Sequence, residues 1–309
     1  MPRVRSVAGP RLGHHGGKLN TLVSLRHSTR YLYDRPVALG PHEIRLKPAP
    51  ARRTAVASYT LAVRPAPHSM HGFYDAAGND VARVVFQDKV SLLEIDVALT
   101  ADLAPVNPFD FLVDPGAERF PLAYSEAARP DLTPFLATGG SGERLGHWLD
   151  DLRSAEKPEG SDTIDLLARI NERVKRDIAY VTRIEHGVQS SEETVRLRSG
   201  SCRDSSWLLT ETLRHLGIAA RFVSGYLIQL SGSAADAPAT DSADLHAWTE
   251  AYVPGAGWIG FDPTSGMLAA EGHLPLARGA TPALTAPVTG SVEPCNSQMQ
   301  FSMSVQRLP

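Results

Sequence analysis

The chain has 309 residues, of which 42% are apolar and 21% charged, with a formal net charge of −3 and two cysteines. Length and apolar content suffice for two cores. The slightly acidic balance, with no clustered Lys/Arg face beyond Pro2-Arg3-Val4-Arg5, argues against a nucleic-acid binder; no run of ~18 apolar residues suggests a membrane span, no signal-peptide core is visible, and two cysteines make no disulfide framework.

The expected setting is the cytoplasm, whose reducing conditions keep thiols free. Residues 1–19, including His14-His15-Gly16-Gly17, read as an unstructured leader, and two histidines are too few for a metal site. Residues 20–104 carry short alternating stretches at Leu22 to Tyr33, Val56 to Val63, Val81 to Phe86 and Ser91 to Leu99. Turns such as Gly78-Asn79-Asp80 separate them, as in a small all-β sandwich or barrel. Arg26, His27, His42 and Arg45 read as decoration on its strands and turns. Residues 105–160, rich in proline and containing Gly139-Gly140-Ser141-Gly142, read as a connector that packs partly on the core.

Residues 161–309 are the expected catalytic core. A helix at about 162–177 has Ile164, Leu167, Ala168, Ile170 and Val174 on its apolar side. A second begins in Ser199-Gly200-Ser201-Cys202-Arg203-Asp204: Gly200 breaks the preceding segment, Ser201 is a favoured N-cap, and Asp204 three residues on nearly completes a capping box. Ser206, Leu209, Leu213 and Leu216 continue it to the stop at Gly217. Cys202 is then the first helical residue, in a polar turn rather than on the apolar stripe, where unpaired backbone N–H groups and the helix dipole favour thiolate over thiol. Arg203 pushes the same way and Asp204 the opposite way.

Ile218 to Ile228 reads as an interior strand and Ser231 to Ser242 as a loop able to cover a cleft. From Asp244 the residues alternate: Leu245, Ala247, Thr249, Ala251 and Val253 point one way, His246, Trp248, Glu250 and Tyr252 the other. A turn at Pro254-Gly255-Ala256-Gly257 leads into a partner strand, Trp258 to Thr264, which puts Asp262 opposite Trp248 or Thr249, roughly 7 Å from His246 by backbone. Cys202, His246 and Asp262 therefore offer a nucleophile, a base and an orienter, the roles nucleophilic catalysis needs. Trp248 and Trp258 are expected to wall the substrate cleft. At the far end Met299, Phe301, Met303 and Val305 alternate with polar residues as a half-buried strand, with the methionines as core filler, and Cys295 is a bystander thiol.

Three segments, Gly200-Ser201-Cys202-Arg203-Asp204, Asp244 to Tyr252, and Gly257-Trp258-Ile259-Gly260-Phe261-Asp262-Pro263-Thr264, resemble in order and spacing the transglutaminase-like superfamily of papain-type cysteine enzymes. His27 to Tyr33 and Pro36 to Pro48 are similar to the β domain that precedes this core in bacterial transglutaminase-like proteins. The resemblance implies an α+β fold, with a nucleophile-bearing helix packed on an antiparallel sheet and a small all-β domain in front. It carries the catalytic Cys, His and Asp onto Cys202, His246 and Asp262, with an oxyanion hole using the Cys202 backbone N–H and one further donor. Gln189 and Tyr180 are candidates for that donor, against plainer readings as an exposed loop residue and a core aromatic.

The expected activity is cysteine-dependent acyl transfer at peptide or side-chain amides, ending in hydrolysis. A protein-glutamine transglutaminase passing the acyl group to an amine is the alternative, and a non-catalytic binding scaffold a third reading. No cofactor or metal is implied; the scatter of Asp236, Asp241 and Asp244 reads as solvated loop and not as a calcium site. The expected partners are a peptide or protein substrate and, in an assembly role, a protein that makes or carries that peptide, with neither nucleic acid nor membrane involved.

Overall fold

A computed structural model describes residues 21–50, 54–183, 185–232 and 240–309. The expected leader, Asp236 and most of the expected loop from Ser231 to Ser242 lie outside the described residues. In chain order the elements are β1 (Leu22–Val37), β2 (His42–Ile44), β3 (Ala55–Arg64), β4 (His68–Tyr74), β5 (Asp80–Phe86), β6 (Val90–Asp102), α1 (Arg129–Leu136), α2 (Glu143–Glu156), α3 (Thr163–Asp177), β7 (Ala179–Tyr180), α4 (Ser191–Leu197), β8 (Ser199–Gly200), α5 (Cys202–His215), β9 (Ala220–Gln229), β10 (Ser242–Val253), β11 (Gly257–Asp262), β12 (Met267–Leu268), β13 (His273–Gly279), β14 (Val288–Thr289) and β15 (Ser297–Arg307).

The fold is α+β. Two four-stranded antiparallel sheets, ordered β15-β1-β6-β3 and β14-β2-β5-β4, make the N-terminal part, and a five-stranded sheet, β12-β11-β10-β9-β13, makes the centre of the second. The alternation in β1 is visible in its burial: Val23, Leu25, His27 and Thr29 face inward while Arg26 and Arg30 face out. The C-terminal strands were expected with the catalytic core; they pair instead into the N-terminal sheets, β15 along β1 from Val23↔Arg307 to Tyr33↔Ser297 and β14 against β2. Strand β15 is also less buried than its alternation suggests, with Met299 and Phe301 at 53% and 61% exposure, because it lies at the sheet edge. Only Met303 and Val305 of its apolar set pack on the core.

Two cores meet along the five-stranded sheet. Tyr226, Ile228, Leu274 and Leu276 pack with the N-terminal strands, whereas Ala220, Ala251, Val253, Ile259 and Phe261 pack with α2, α3 and α5. The expected connector is part of this second core. Helix α2 buries Leu145, Trp148, Leu149 and Leu152, a three- and four-residue spacing that presents one apolar stripe, and Phe120 and Leu122 join it. His27, His42 and Arg45 are buried rather than decorative. His27 Nδ1 lies 2.9 Å from the Tyr226 hydroxyl and Nε2 2.8 Å from Thr29 Oγ1, tying the first strand to the central sheet.

Candidate active site

Helix α5 starts where the capping residues place it. Asp204 Oδ2 accepts from both the backbone N–H and the hydroxyl of Ser201, each at 2.8 Å, so the N-cap turn is closed from within. Gly200 is required by close approach: a Cβ there would stand 2.7 Å from Asp204 Cβ. Asp204 is fully buried and also accepts from the Gln189 N–H at 2.8 Å and from Arg183 at 2.8 and 2.9 Å. Burial alone would raise its pKa, but the N–H donors of Gln189 and Ser201 and the Arg183 guanidinium outweigh that and lower it. The carboxylate beside Cys202 is thus neutralised by Arg183, a partner that no sequence motif announces. Arg203 is turned away, donating to the carbonyls of Arg183 and Glu185.

The helix is pinned to β10 by buried hydroxyls. Ser206 Oγ donates to the Ala247 carbonyl at 2.9 Å, and Thr249 Oγ1 donates to the Ser206 carbonyl at 2.8 Å. This fixes the first turn of α5 against the strand that carries His246. Across β10 and β11, Thr249 pairs with Phe261, so one further step puts Asp262 opposite Trp248, one of the two positions anticipated. Asn171, fully buried on α3, donates to the carbonyls of Asp262 and Met267 at 3.3 and 3.1 Å and holds the turn that ends β11.

The structure brings Cys202, His246 and Asp262 together. His246 Nε2 stands 3.2 Å from Asp262 Oδ1, close enough for an ion pair but off the line of a hydrogen bond, so that buried nitrogen lacks a well-aligned partner. The Cys202 sulfur is within hydrogen-bonding reach of the same imidazole. Burial works against charge on His246, but Asp262 and the Cys202 sulfur more than offset it and raise the imidazole pKa. Burial likewise opposes charge on Asp262, and His246 and His273 together lower its pKa well below the usual carboxylate range. The Thr264 N–H at 2.9 Å and the Ser265 hydroxyl at 3.0 Å also donate to that carboxylate. Cys202 itself is partly exposed.

The other candidates are placed differently. Gln189 gives its backbone N–H to Asp204, and its Oε1 accepts from the Thr194 hydroxyl at 3.2 Å. Tyr180 is no core aromatic: it is 58% exposed on β7, which pairs in parallel with β8 through Tyr180↔Gly200, two residues before Cys202. Burial, the Cys202 sulfur and Asp244 raise its phenol pKa. Trp248 does not line an open cleft, because it is 2% exposed; its ring stacks behind His246 at 6.5 Å and covers Gly225, where a Cβ would stand 2.4 Å from it. Trp258 lies four residues along β11 from Asp262, packed on Arg221, Phe135 and Tyr252. An open trough of about 800 Å³ over the outer face of β1, β3, β6 and β15 contains none of these three residues.

His273, at the start of β13, has no counterpart among the sequence candidates, since a lone histidine opening a strand carries no motif. With His246 and Asp262 it is the only group among the described residues with three potential metal-ligand atoms, all within 4.8 Å. The Ala270 N–H donates to His273 Nδ1 at 3.2 Å, so a neutral His273 carries its proton on Nε2, the nitrogen facing Asp262, and offers no lone pair there to a metal. The set fits hydrogen bonding to a carboxylate better than metal ligation.

Residues 151–263 match the transglutaminase-like superfamily and residues 23–102 the bacterial transglutaminase-like N-terminal region. The chain thus carries a transglutaminase-like core behind a bacterial transglutaminase-like N-terminal region. Similar chains include an uncharacterized protein of Mycobacterium tuberculosis, 26% identical over 300 residues (92% of this chain, 91% of that one). Another from Mycobacterium leprae is 25% identical over 272 residues (85% and 90%). Among solved structures, a candidate cysteine protease from Cytophaga hutchinsonii shares the fold with a TM-score of 0.69 at 18% identity, covering 94% of this chain and 91% of that one.

Proposed function

We propose that this chain is a cysteine-dependent enzyme that hydrolyses a peptide or side-chain amide through a thioester on Cys202. The observation that carries the reading is the meeting of three elements at one imidazole, with the N-terminal sulfur of α5 on one side and the Asp262 carboxylate 3.2 Å away on the other. With Nε2 turned to Asp262, Nδ1 is the nitrogen that exchanges a proton with sulfur. His246 takes the Cys202 thiol proton as the sulfur attacks, and its raised pKa lets the ring hold that proton for the departing amine.

In the first half-reaction the Cys202 sulfur attacks the carbonyl carbon. The oxygen takes up negative charge and is met by the Cys202 backbone N–H, which at the first helical position has no acceptor within the helix. Collapse breaks the C–N bond, and His246 gives its proton to the departing amine. The now neutral imidazole takes a proton from water, whose oxygen attacks the thioester; the C–S bond breaks, releasing the acid and restoring the starting pair. Asp262 stabilises the imidazolium throughout, and its contact with Nε2 is expected to straighten in the substrate complex, as catalytic hydrogen bonds often do. The Gln189 Nε2 amide is proposed as the second oxyanion donor.

The test is product analysis by mass spectrometry of a peptide library, with and without an added primary amine, for wild type and Cys202→Ala. The reading expects free acid without amine, abolished in Cys202→Ala. Amine adduct with no free acid in any condition would assign transamidation instead. Turnover unchanged in Cys202→Ala would end the cysteine mechanism.

A further inference from the structure

The structure assigns His273 a part in this site: we infer that it is a positioning residue that holds the outer oxygen of Asp262 and so aims the inner one at His246. This rests on the reading of Cys202, His246 and Asp262 as the catalytic group. One bond to the ring and one to the backbone hold His273. The Ala270 N–H donates to Nδ1 at 3.2 Å, and the His273 N–H donates back to the Ala270 carbonyl at 2.9 Å. An imidazole that accepts at Nδ1 carries its proton on Nε2 when neutral, and Nε2 lies 3.4 Å from Asp262 Oδ2.

Asp262 thus has one imidazole at each oxygen, His246 at Oδ1 and His273 at Oδ2. The Thr264 N–H shares Oδ1 and the Ser265 hydroxyl shares Oδ2. A carboxylate this deeply buried stays ionised only if its lone pairs are met by donors, and rotation about its last bond would break the contact with His246. The His273 ring is itself wedged in place, edge-on to Trp248 at 5.2 Å and 5.9 Å from His246, with 11% of its side chain exposed. Trp248 therefore packs against both imidazoles that flank the carboxylate.

The experiment compares iodoacetamide modification of Cys202, followed by peptide mapping from pH 4 to 9, in wild type, His246→Ala, His273→Phe and His273→Gln, with thermal unfolding of each. His246→Ala tests the underlying reading: if it leaves Cys202 modification unaltered, the catalytic group itself is wrong, whatever the His273 variants do. Given His246 dependence, His273→Phe keeps an aromatic ring and removes the donor. Its acid limb is expected to move to higher pH, lowering the rate on that limb about tenfold, the effect of one hydrogen bond to a charged group. His273→Gln, which restores an N–H donor, is expected to recover most of it. A wild-type profile in folded His273→Phe overturns the assignment, as does a His273→Gln profile as shifted as that of His273→Phe. Stoichiometric Zn²⁺ binding at micromolar concentration that is lost in both His273 variants would overturn it in favour of a metal site.

Discussion

Asp204 closes the first turn of α5 beside Cys202, and its pairing with Arg183 can be measured. Asp204→Asn preserves shape but removes the charge that meets two Ser201 donors, the Gln189 N–H and the Arg183 guanidinium. Because Asp204 is fully buried and Arg183 has 15% side-chain exposure, the substitution leaves a nearly buried cation with only the exposed Glu185 carboxylate, 3.5 Å away, as its partner, at a cost of about 3 kcal/mol. Arg183→Leu leaves Asp204 with three donors and costs less, about 1.5–3 kcal/mol. In the double variant no charge is stranded, so the loss by urea unfolding is expected to fall short of the sum by at least about 1.5 kcal/mol. Additivity within about 0.5 kcal/mol would refute the reasoning. The sign with pH follows from the lowered pKa: the advantage of wild type over Asp204→Asn is full above the unfolded carboxylate value of ~3.9 and is lost as pH falls through the folded value.

Other consequences are as direct. Arg214 donates to the carbonyls of Ala137, Ala220 and Ala280; burial pushes its pKa down to about 10, still charged at neutral pH, and Arg214→Leu is expected to cost about 3–5 kcal/mol in urea unfolding, a loss under 1 kcal/mol contradicting that role. Burial lowers the His27 pKa from 6.5 to about 4, so the unfolded chain binds its proton first and stability falls as pH drops from 6.5 to about 4, by about 3 kcal/mol in total. A His27→Gln variant should show a shallower dependence in that window, and an unchanged slope would sink the argument. Gly225→Ala drives a methyl into the Trp248 ring and the Leu274 carbonyl, and is expected to cost about 1–3 kcal/mol and to slow Cys202 alkylation. Alkylation at the wild-type rate would show that the ring behind His246 does not set its position.

Much of the site was legible because its signals are local. Ser201 and Asp204 mark the start of α5, period-two alternation puts His246 and Trp248 on one face, and the turn before β11 counts Asp262 into register. Arg183, Asn171 and His273 were not legible, since each acts across the fold on a residue 21, 91 or 11 positions away through a hydrogen bond that leaves no periodic trace. Strand β15 joining β1 is of the same kind: alternation announces a strand but not its neighbour. Helix α2 is a different failure, because Leu145, Trp148, Leu149 and Leu152 do show helical spacing, and the glycine and proline density around them masked it. Trp258 shares a strand with Asp262, and four residues of strand rise carry it to the other end of β11, a separation that a shared motif does not convey.

The central claim is that Cys202 is a nucleophile activated by His246, and the most direct measurement is the iodoacetamide rate at Cys202 by peptide mapping at pH 6.5. Cys295 in the same molecule and Cys202 in denatured protein serve as references. The account predicts that Cys202 in the folded wild type reacts at least about tenfold faster than either reference, and that His246→Ala removes the advantage. A folded-state rate no greater than the denatured one, or an advantage that persists in His246→Ala, would contradict it.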